Sequence, residues 1–340
     1  MRAYAQAQAL ALAPALALAL ACSGGTARAA ADAPAGHGVE IIDIAPGLHL
    51  LPGRFERGRQ PDGNSLLIEA PGGLIVFDTG RHAEHTQALL DWSQAHGRPL
   101  VAVINSHWHL DHLGGNALLR RAVPGLQAYA SAAVAQALGG KMAQSADELR
   151  RMALDPQVDD ASRAMARIDL ALLDQRDRLA PDHVIEGSAQ DLRLAGRALR
   201  VGVERNAVSG GDVWMLDPAT GVLAAGDLVT LPVPFLDTAC APGWRAALGR
   251  IEALPFTQLV PGHGPVMSRA DVARWRGAFD ALLDCAASQR PPTACSAAWA
   301  SGLGPLLPPA EQRRATAMLE FYFAEHLRAD AAQRDRYCVG

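Results

Sequence analysis

Short apolar runs alternate with helical patterns along the chain, which predicts an α/β fold. The pattern before residue 110 predicts strands at 41–44, 48–51, 65–70 and 74–77. A helix is predicted from His82 to His96, since Leu89, Leu90 and Trp92 fall on one face. The unbroken apolar run 100–104 is typical of a strand buried on both faces.

The second half of the chain combines more strands with two helical stretches. Residues 131–180 are rich in Ala, Arg and Asp with helical periodicity, which predicts a helical insertion. Further strands are predicted at 192–203, 213–216, 222–225 and 258–260. From Ser268 onward the pattern is helical, with a Pro- and Gly-rich interruption at 289–309, and we interpret this part as an appendage to the core.

The first 29 residues predict a secretory signal. The apolar run 9–21 follows the single charge of Arg2, contains Pro14 and is short for a membrane span, which needs about 20 residues. Ala-Arg-Ala at 27–29 supplies a small-x-small cleavage pattern. We expect a mature protein in the periplasm or outside the cell, without an integral membrane segment. A lipoprotein that begins at Cys22 is the alternative.

The net charge indicates which class of partner the protein binds, and the cysteines indicate how they would pair in an oxidising compartment. The formal net charge of −4 argues against a broad basic surface for nucleic acid, so the expected partner is a small-molecule substrate. Four cysteines follow the signal: Cys240, Cys285, Cys295 and Cys338. In an oxidising compartment they predict two disulfides with three connectivities, of which a Cys285–Cys295 bond is favoured by the bend at Pro291-Pro292. Free, buried cysteines are the alternative.

The candidate chemistry follows the most apolar strand directly. Residues 105–116 read Asn-Ser-His-Trp-His-Leu-Asp-His-Leu-Gly-Gly-Asn, and imidazole and carboxylate are the ligands that zinc prefers. In an extended segment His107, His109 and Asp111 point the same way, while His112 at the chain reversal faces a second ion. The alternative, a histidine-rich surface loop, fits poorly with so dense and regular a cluster.

This string resembles the HxHxDH signature of the metallo-β-lactamase superfamily. Further elements occur in the expected order: Asp78-Thr79-Gly80, Gly226-Asp227 and Pro261-Gly262-His263-Gly264. The resemblance implies an αββα sandwich with a metal site along one edge. It also implies that Asp227 bridges two metals and that His263 is the last ligand, while Asp78 has a structural role beneath the site.

The resemblance covers about residues 40–270 and divides the chain. We expect a signal peptide at 1–29, a flexible leader at 30–40, a metallo-β-lactamase-like domain at 41–270 and a C-terminal helical extension at 271–340. The segment from Gly226 to Asp237, with Pro-Gly-His-Gly, is also similar to exported zinc metallohydrolases associated with quinoprotein systems.

One position departs from the family pattern. The family places a further histidine four residues before the aspartate or asparagine that opens the next strand. That aspartate is Asp212 here, and the position four residues earlier holds Val208, which cannot bind a metal. Asn206 is the nearest polar candidate and a poor zinc ligand.

One of the two implied metal sites is therefore complete and the other is not. The complete set comprises Asp111, His112, His263 and the shared Asp227. The incomplete set retains His107 and His109. We expect one firmly bound zinc ion, with a second bound weakly or not at all.

The resemblance implies a zinc-dependent hydrolase. Zinc lowers the pKa of its bound water from about 15.7 toward roughly 7, which supplies hydroxide at neutral pH. The hydroxide would attack a small ester, lactone, lactam or thioester-type substrate, with Asp111 as the candidate catalytic residue; the superfamily also hydrolyses sulfate esters. The alternative, favoured by Val208, is a non-catalytic metal- or ligand-binding protein on the same fold.

Overall fold

The computed structural model describes residues 40–56 and 58–338. The predicted signal peptide, its cleavage after Ala29 and the alternative start at Cys22 all lie outside the described residues. None of the described helices is long and apolar enough to cross a membrane.

Thirteen strands in the described part of the chain form two mixed sheets. The first sheet contains, in spatial order, β1 (Ile42–Ala45), β2 (Leu48–Leu51), β3 (Ser65–Ala70), β4 (Gly73–Phe77), β5 (Leu100–Ile104), β6 (Gln127–Ser131) and β7 (His183–Ile185). The second contains β13 (Met267–Ser268), β12 (Gln258–Pro261), β11 (Val222–Gly226), β10 (Asp212–Asp217), β9 (Arg197–Glu204) and β8 (Gln190–Leu194). The strand pairs β4–β5, β5–β6, β6–β7 and β11–β12 are parallel, and the others are antiparallel.

Helices cover the outer faces of both sheets. They are α1 (Ala83–Ala95), α2 (Leu110–Leu113), α3 (Asn116–Ala122), α4 (Ala132–Gly139), α5 (Lys141–Leu154), α6 (Asp160–Leu173), α7 (Arg176–Leu179), α8 (Ala241–Glu252), α9 (Arg269–Ala286), α10 (Pro292–Leu303), α11 (Pro309–Tyr322) and α12 (Ala331–Arg334). A 3₁₀ turn at Gly304–Leu306 and a π-helical turn at Phe323–Leu327 flank α11. This is the predicted αββα sandwich with a helical insertion.

Strands β3 and β4 show why the sandwich forms. Leu66 and Ile68 face the second sheet and pack against residues such as Val201 and Met215, whereas Leu67 and Val76 face the outer helices. A strand covered on both faces needs apolar residues at nearly every position, which is what these runs supply.

The helical insertion lies where its periodicity predicts it. Helices α4 to α7 span residues 132–179, within the predicted 131–180. Their apolar faces, with Val134, Leu138 and Leu173, pack around Leu113 and Ala117 beside the β5 end. The insertion therefore stands next to the candidate metal motif.

The interpretation of the C-terminal helices as an appendage was wrong. Trp275, Trp299 and Tyr322 are almost fully buried in the same apolar cluster as Trp214 of β10. Helix α9 starts at Arg269, in agreement with the helical pattern predicted from Ser268 onward. Together with α8, these helices form the outer layer of the second sheet and bury its apolar face.

Two disulfides link the four described cysteines. Cys285–Cys295 is the predicted bond, with a sequence separation of 10. Cys240–Cys338 joins the start of α8 to the chain end across 98 residues. The second bond holds the C-terminal tail against the body of the domain.

Candidate metal centre

The carboxyl ends of parallel strands from both sheets meet at one edge of the sandwich. Asp78 follows β4, and the histidine-rich segment follows its neighbour β5. Asp227 follows β11, and His263 follows the adjacent β12. The crevice beyond the carboxyl ends of such strands is a common position for binding sites in α/β folds.

The six predicted ligands come together here as two groups of three. Within each group the potential ligand atoms all lie within 4.8 Å of one another. One group is His107, His109 and Asp227; the other is Asp111, His112 and His263.

Asp227 lies between the two groups. Its Oδ2 is 3.8 Å from Nε2 of His107, and its Oδ1 is 3.4 Å from Nε2 of His112 and 3.6 Å from Nε2 of His263. Each carboxylate oxygen thus faces a different group, the arrangement expected of a residue shared by two ions.

The expectation that Asp111 points the same way as His107 and His109 was wrong. The segment is not extended as far as residue 111, because Asp111 and His112 lie together in the one-turn helix α2. Asp111 consequently joins the His112 group, with Oδ2 3.1 Å from Nε2 of His263.

Asp78 orients two of the histidines. Its Oδ2 accepts hydrogen bonds from Nδ1 of His112 (2.8 Å) and from Oγ of Ser106 (2.7 Å), and Oγ of Ser106 lies 2.9 Å from Nδ1 of His107. Both imidazoles therefore carry a proton on Nδ1 and turn Nε2 toward the site. Asp78 adopts a φ of 60°, a conformation uncommon for a residue with a side chain. The predicted structural role of Asp78 is confirmed.

His109 is oriented by a different part of the chain. Its Nε2 lies 2.9 Å from Oγ of Thr238, which donates its own proton to the carbonyl of Val208 at 3.0 Å. Nε2 of His109 must then be the donor, so Nδ1 is the nitrogen left to face an ion. This bond was not foreseen, since Thr238 is 129 residues away from His109.

Val208 is fully buried in the apolar cluster of the second sheet. The turn that carries it is fixed by Asp212, which accepts hydrogen bonds from the backbone N–H and the hydroxyl of Ser209. Burial raises the pKa of Asp212 to about 7, against the opposing effect of these hydrogen bonds. Val208, at the position where the family has a histidine, therefore packs in the core and offers no metal ligand.

Several buried polar atoms at the centre have no hydrogen-bond partner. They are Nε2 of His107, Nε2 of His112, Oδ1 of Asp227 and both ring nitrogens of His263. Burying a polar group without a partner costs about 1–3 kcal/mol, so an inward-facing set of such atoms is suited to binding a cation.

The charges favour a cation as well. Burial disfavours a charged His112, but the carboxylates of Asp227, Asp78 and Asp111 outweigh it and hold the pKa of His112 well above its usual value. Asp227 stays ionised in the same site. Burial alone would raise its pKa, but the neighbouring His112 and His263 outweigh burial and lower the pKa below its usual value. Imidazole and carboxylate donors in this number suit zinc.

Close backbone approach shapes the centre at two glycines. A Cβ at Gly262 would lie 2.0 Å from Oδ1 of Asp227, and one at Gly63 would lie 2.5 Å from Cε1 of His112. Any side chain at either position would displace a candidate ligand.

Residues 58–284 match the family model of the Metallo-beta-lactamase superfamily. The chain belongs to this superfamily. Superfamily members are metal-dependent hydrolases, and the chain is assigned as a hydrolase on that basis.

Solved structures share the fold of this superfamily member. A metallo-beta-lactamase from Pontibacter korlensis is 19% identical with a TM-score of 0.53, covering 72% of this chain and 99% of that one. A stereoselective inverting sec-alkylsulfatase from Pseudomonas sp. is 20% identical with a TM-score of 0.57, covering 88% of this chain and 50% of that one.

Among curated sequences, an (R)-specific secondary-alkylsulfatase from Pseudomonas sp. is 38% identical over 82 residues. That match covers 23% of this chain and 12% of the relative, so the chain spans only a small part of the relative's length.

A cavity of about 480 Å³ adjoins the ligand group of His107, His109 and Asp227. His109 and Trp108 lie in its wall, beside helices α5 and α6 of the insertion and the C-terminal tail. Trp108 therefore borders the cleft, whereas Trp214 and Trp244 lie in the core.

Sequence reasoning missed a buried ionic link between this cavity and the metal centre. Arg81 is 4% exposed, ion-paired with Asp169 of α6, and its guanidinium lies 3.6 Å from Oδ1 of Asp111. The available signal was an arginine directly after Asp78-Thr79-Gly80. The next residue, His82, is buried, and its Nδ1 lies 2.8 Å from Oδ2 of Asp62.

Proposed function

We propose that the protein is an exported zinc-dependent hydrolase that acts on a small ester, lactone, lactam or thioester-type substrate. The observation that carries the proposal is the convergence of two three-residue ligand groups in which Nε2 of His107, His112 and His263 makes no hydrogen bond within the described part of the chain. A purely structural cluster would pair these atoms with each other or with the backbone.

The firm zinc site is assigned to Asp111, His112 and His263 with Oδ1 of Asp227. His107 and His109 with Oδ2 of Asp227 form the weaker site. Zinc, when bound, acts as a Lewis acid and supplies a nucleophilic water at neutral pH.

The protein's own groups position that chemistry. The candidate ligands other than His109 are less than a tenth exposed, and His109 is partly buried, which limits access of bulk water. Burial raises the pKa of Asp111, but His112, His263 and Arg81 lower it well below its usual value. A carboxylate so firmly ionised is a poor proton acceptor, so we assign Asp111 to ligation and to orienting the attacking water. Arg81 in turn fixes the free oxygen of Asp111.

A sulfate ester is a second candidate substrate. Alkylsulfatases from Pseudomonas are among the relatives, and the cations Arg81, Lys141 and Arg336 line the cavity beside the metal centre. Four acidic residues line the same cavity and Arg81 is ion-paired with Asp169, so Lys141 and Arg336 are the charges that would attract an anionic substrate.

A non-catalytic binding protein remains the competing proposal, because Val208 removes one ligand of the family. Export is supported by the two disulfides, which persist mainly in oxidising compartments. Amino-terminal sequencing of the exported protein tests it: a start near Ala30 is expected, and a lipid-modified Cys22 would contradict a soluble periplasmic protein.

The test of activity is a panel of chromogenic esters, lactones, cephalosporins and sulfate esters, assayed with and without added zinc after dialysis against chelator. Zinc-dependent turnover of one class, lost in Asp111→Ala, supports the hydrolase. Tight zinc binding without turnover of any class supports the binding protein, and absence of metal binding contradicts both.

A further inference from the structure

We propose that the cavity beside His109 is a recognition site for an amphiphilic anion, whose apolar body lies on the insertion helices and whose carboxylate or sulfate pairs with Lys141. This inference rests on the proposed function, because it makes the cavity the substrate-recognition site of the hydrolase. It assigns a substrate class that the metal ligands alone do not specify.

The apolar wall of the cavity is rich in methionine. Met142, Met152 and Met165 line it, three of the seven methionines in the chain, together with Leu149 and Leu173. Methionine is unbranched and polarisable, so a methionine-lined wall adapts to flexible apolar groups of different shape. A volume of about 480 Å³ is in the usual range of small-molecule sites.

Lys141 supplies the positive charge. Its ammonium donates a hydrogen bond to the hydroxyl of Tyr337 at 2.6 Å and lies 4.3 Å from the ring centre of Tyr337 and 5.3 Å from that of Trp108. Within the described part of the chain no carboxylate lies within ion-pair distance of Lys141. Because the ammonium lies between two aromatic rings and makes no direct ion pair, it can still pair with the anionic end of a ligand.

Four carboxyl groups lie in the cavity wall, and among the described residues none of them is ion-paired with this lysine. Asp169 is ion-paired with Arg81. Asp237 accepts a hydrogen bond from the hydroxyl of Tyr322 at 2.6 Å; burial raises its pKa, against the opposing effects of that bond and of the nearby charges of His326 and Lys141. Glu148 and Glu325 line the cavity without an ion pair to Lys141.

The charge lies close to the reactive edge. Trp108, which contacts the Lys141 ammonium, has its ring centre 4.6 Å from that of His109. One aromatic ring thus separates the lysine from a candidate metal ligand. An anion on Lys141 would place the polar end of a ligand next to Trp108, the neighbour of His109, and its apolar body among the methionines.

The opposite wall depends on the second disulfide. Arg336 and Tyr337 line the cavity, and the bond from Cys338 to Cys240 holds them in place. Tyr337 contacts Lys141 although the two residues are 196 positions apart in the sequence. The C-terminal tail is therefore part of the recognition site.

The test uses three ten-carbon probes on the zinc-loaded full-length protein, measured by calorimetric titration. Decyl sulfate and decanoate carry an anion, and 1-decanol has the same chain without charge. We expect at least one anion to bind at least tenfold more tightly than 1-decanol. Which anion binds distinguishes a sulfate from a carboxylate ligand.

Two variants separate charge from apolar contact. Lys141→Met should reduce the preference for the anion to below threefold and leave 1-decanol binding unchanged; Arg150→Met, an exposed position on the same helix, should change neither. Met165→Asn should weaken anion and alcohol alike by about tenfold, whereas Met318→Asn, outside the cavity on α11, should not.

Equal binding of alcohol and anions, or an anion preference that survives Lys141→Met, would overturn the proposal. Zinc-dependent hydrolysis of a neutral chromogenic ester is measured on the same samples. Hydrolysis without lysine-dependent binding rejects the recognition site alone. Lysine-dependent binding without hydrolysis of any substrate rejects the hydrolase and keeps the site as that of a binding protein.

Discussion

The two ligand groups of the metal centre differ in how the chain supports them. The group of Asp111, His112 and His263 is held by one-turn helix α2 and the β12 end, with His112 fixed by Asp78. In the other group, His109 is oriented by Thr238, whose hydroxyl donates a hydrogen bond to the backbone carbonyl of Val208.

The group with fewer ligands is thus also the group in which a histidine is oriented by a residue distant in sequence. The first group, Asp111, His112 and His263, has three ligands beside the shared Asp227. The second group has only His107 and His109 beside Asp227, because buried Val208 stands where the family has a further histidine. The asymmetry leads us to expect unequal affinities, and the following substitutions test that expectation from the largest effect to the smallest.

Removal of a ligand from the first group should have the largest effect. Asp111→Ala and His263→Ala should each lower affinity for the tight zinc by more than about 100-fold and abolish hydrolysis, since each deletes a donor from the complete set. His107→Ala should keep the tight zinc. Elemental analysis after extensive dialysis measures retained metal.

The unmodified protein provides the control for that comparison. About one equivalent of zinc should remain after dialysis, and a second should bind only at high zinc. If two equivalents remain, another residue such as Asn206 completes the second site, and the asymmetry is rejected.

Asp78→Asn should weaken zinc binding by roughly 10–100-fold, the usual cost of losing a group that orients a ligand histidine. The amide can no longer serve as a charged acceptor for both His112 and Ser106. Competition with a fluorescent zinc chelator measures the affinity. Asp91→Asn, on an exposed turn of α1, is the matched control and should have no effect.

Val208→His tests the missing donor directly. We expect affinity at the second site to rise about tenfold, with a loss of about 1–3 kcal/mol in the free energy of unfolding, because the new side chain is larger and polar in an apolar cluster. Zinc titration and urea unfolding give the two quantities. A gain equal to that of Val208→Ala would show that position 208 does not reach the site.

The smallest effect is expected from Thr238→Val. Loss of the hydroxyl frees the His109 ring to rotate, so second-site affinity should fall a few-fold while the tight zinc is retained. Thr238→Ser should restore it, because the serine hydroxyl can make the same bond. An equal loss at both sites would mean that Thr238 supports the whole centre.

Much of the fold followed from local patterns. The apolar runs of β3 to β5 and the helical periodicity of residues 131–180 predicted these elements to within a few residues. The C-terminal helices were misjudged, because periodicity shows that a helix has an apolar face but does not show which surface the face covers. Trp275 and Trp299 had the helical pattern, and only the sandwich shows that they cover the second sheet.

The sequence by itself determined the identity of the candidate ligands, since His107 to His112, Asp227 and His263 all follow predicted strands in a recognisable order. Only the tertiary structure decided how they divide, because α2 turns Asp111 away from His109 and toward His263. It also decided the neighbours that no spacing reveals: Thr238 on His109, Arg81 on Asp111 and Tyr337 on Lys141. The physical reason is that local patterns encode burial and backbone direction, whereas contacts between side chains far apart in sequence exist only once the sheets, the insertion and the tail have packed together.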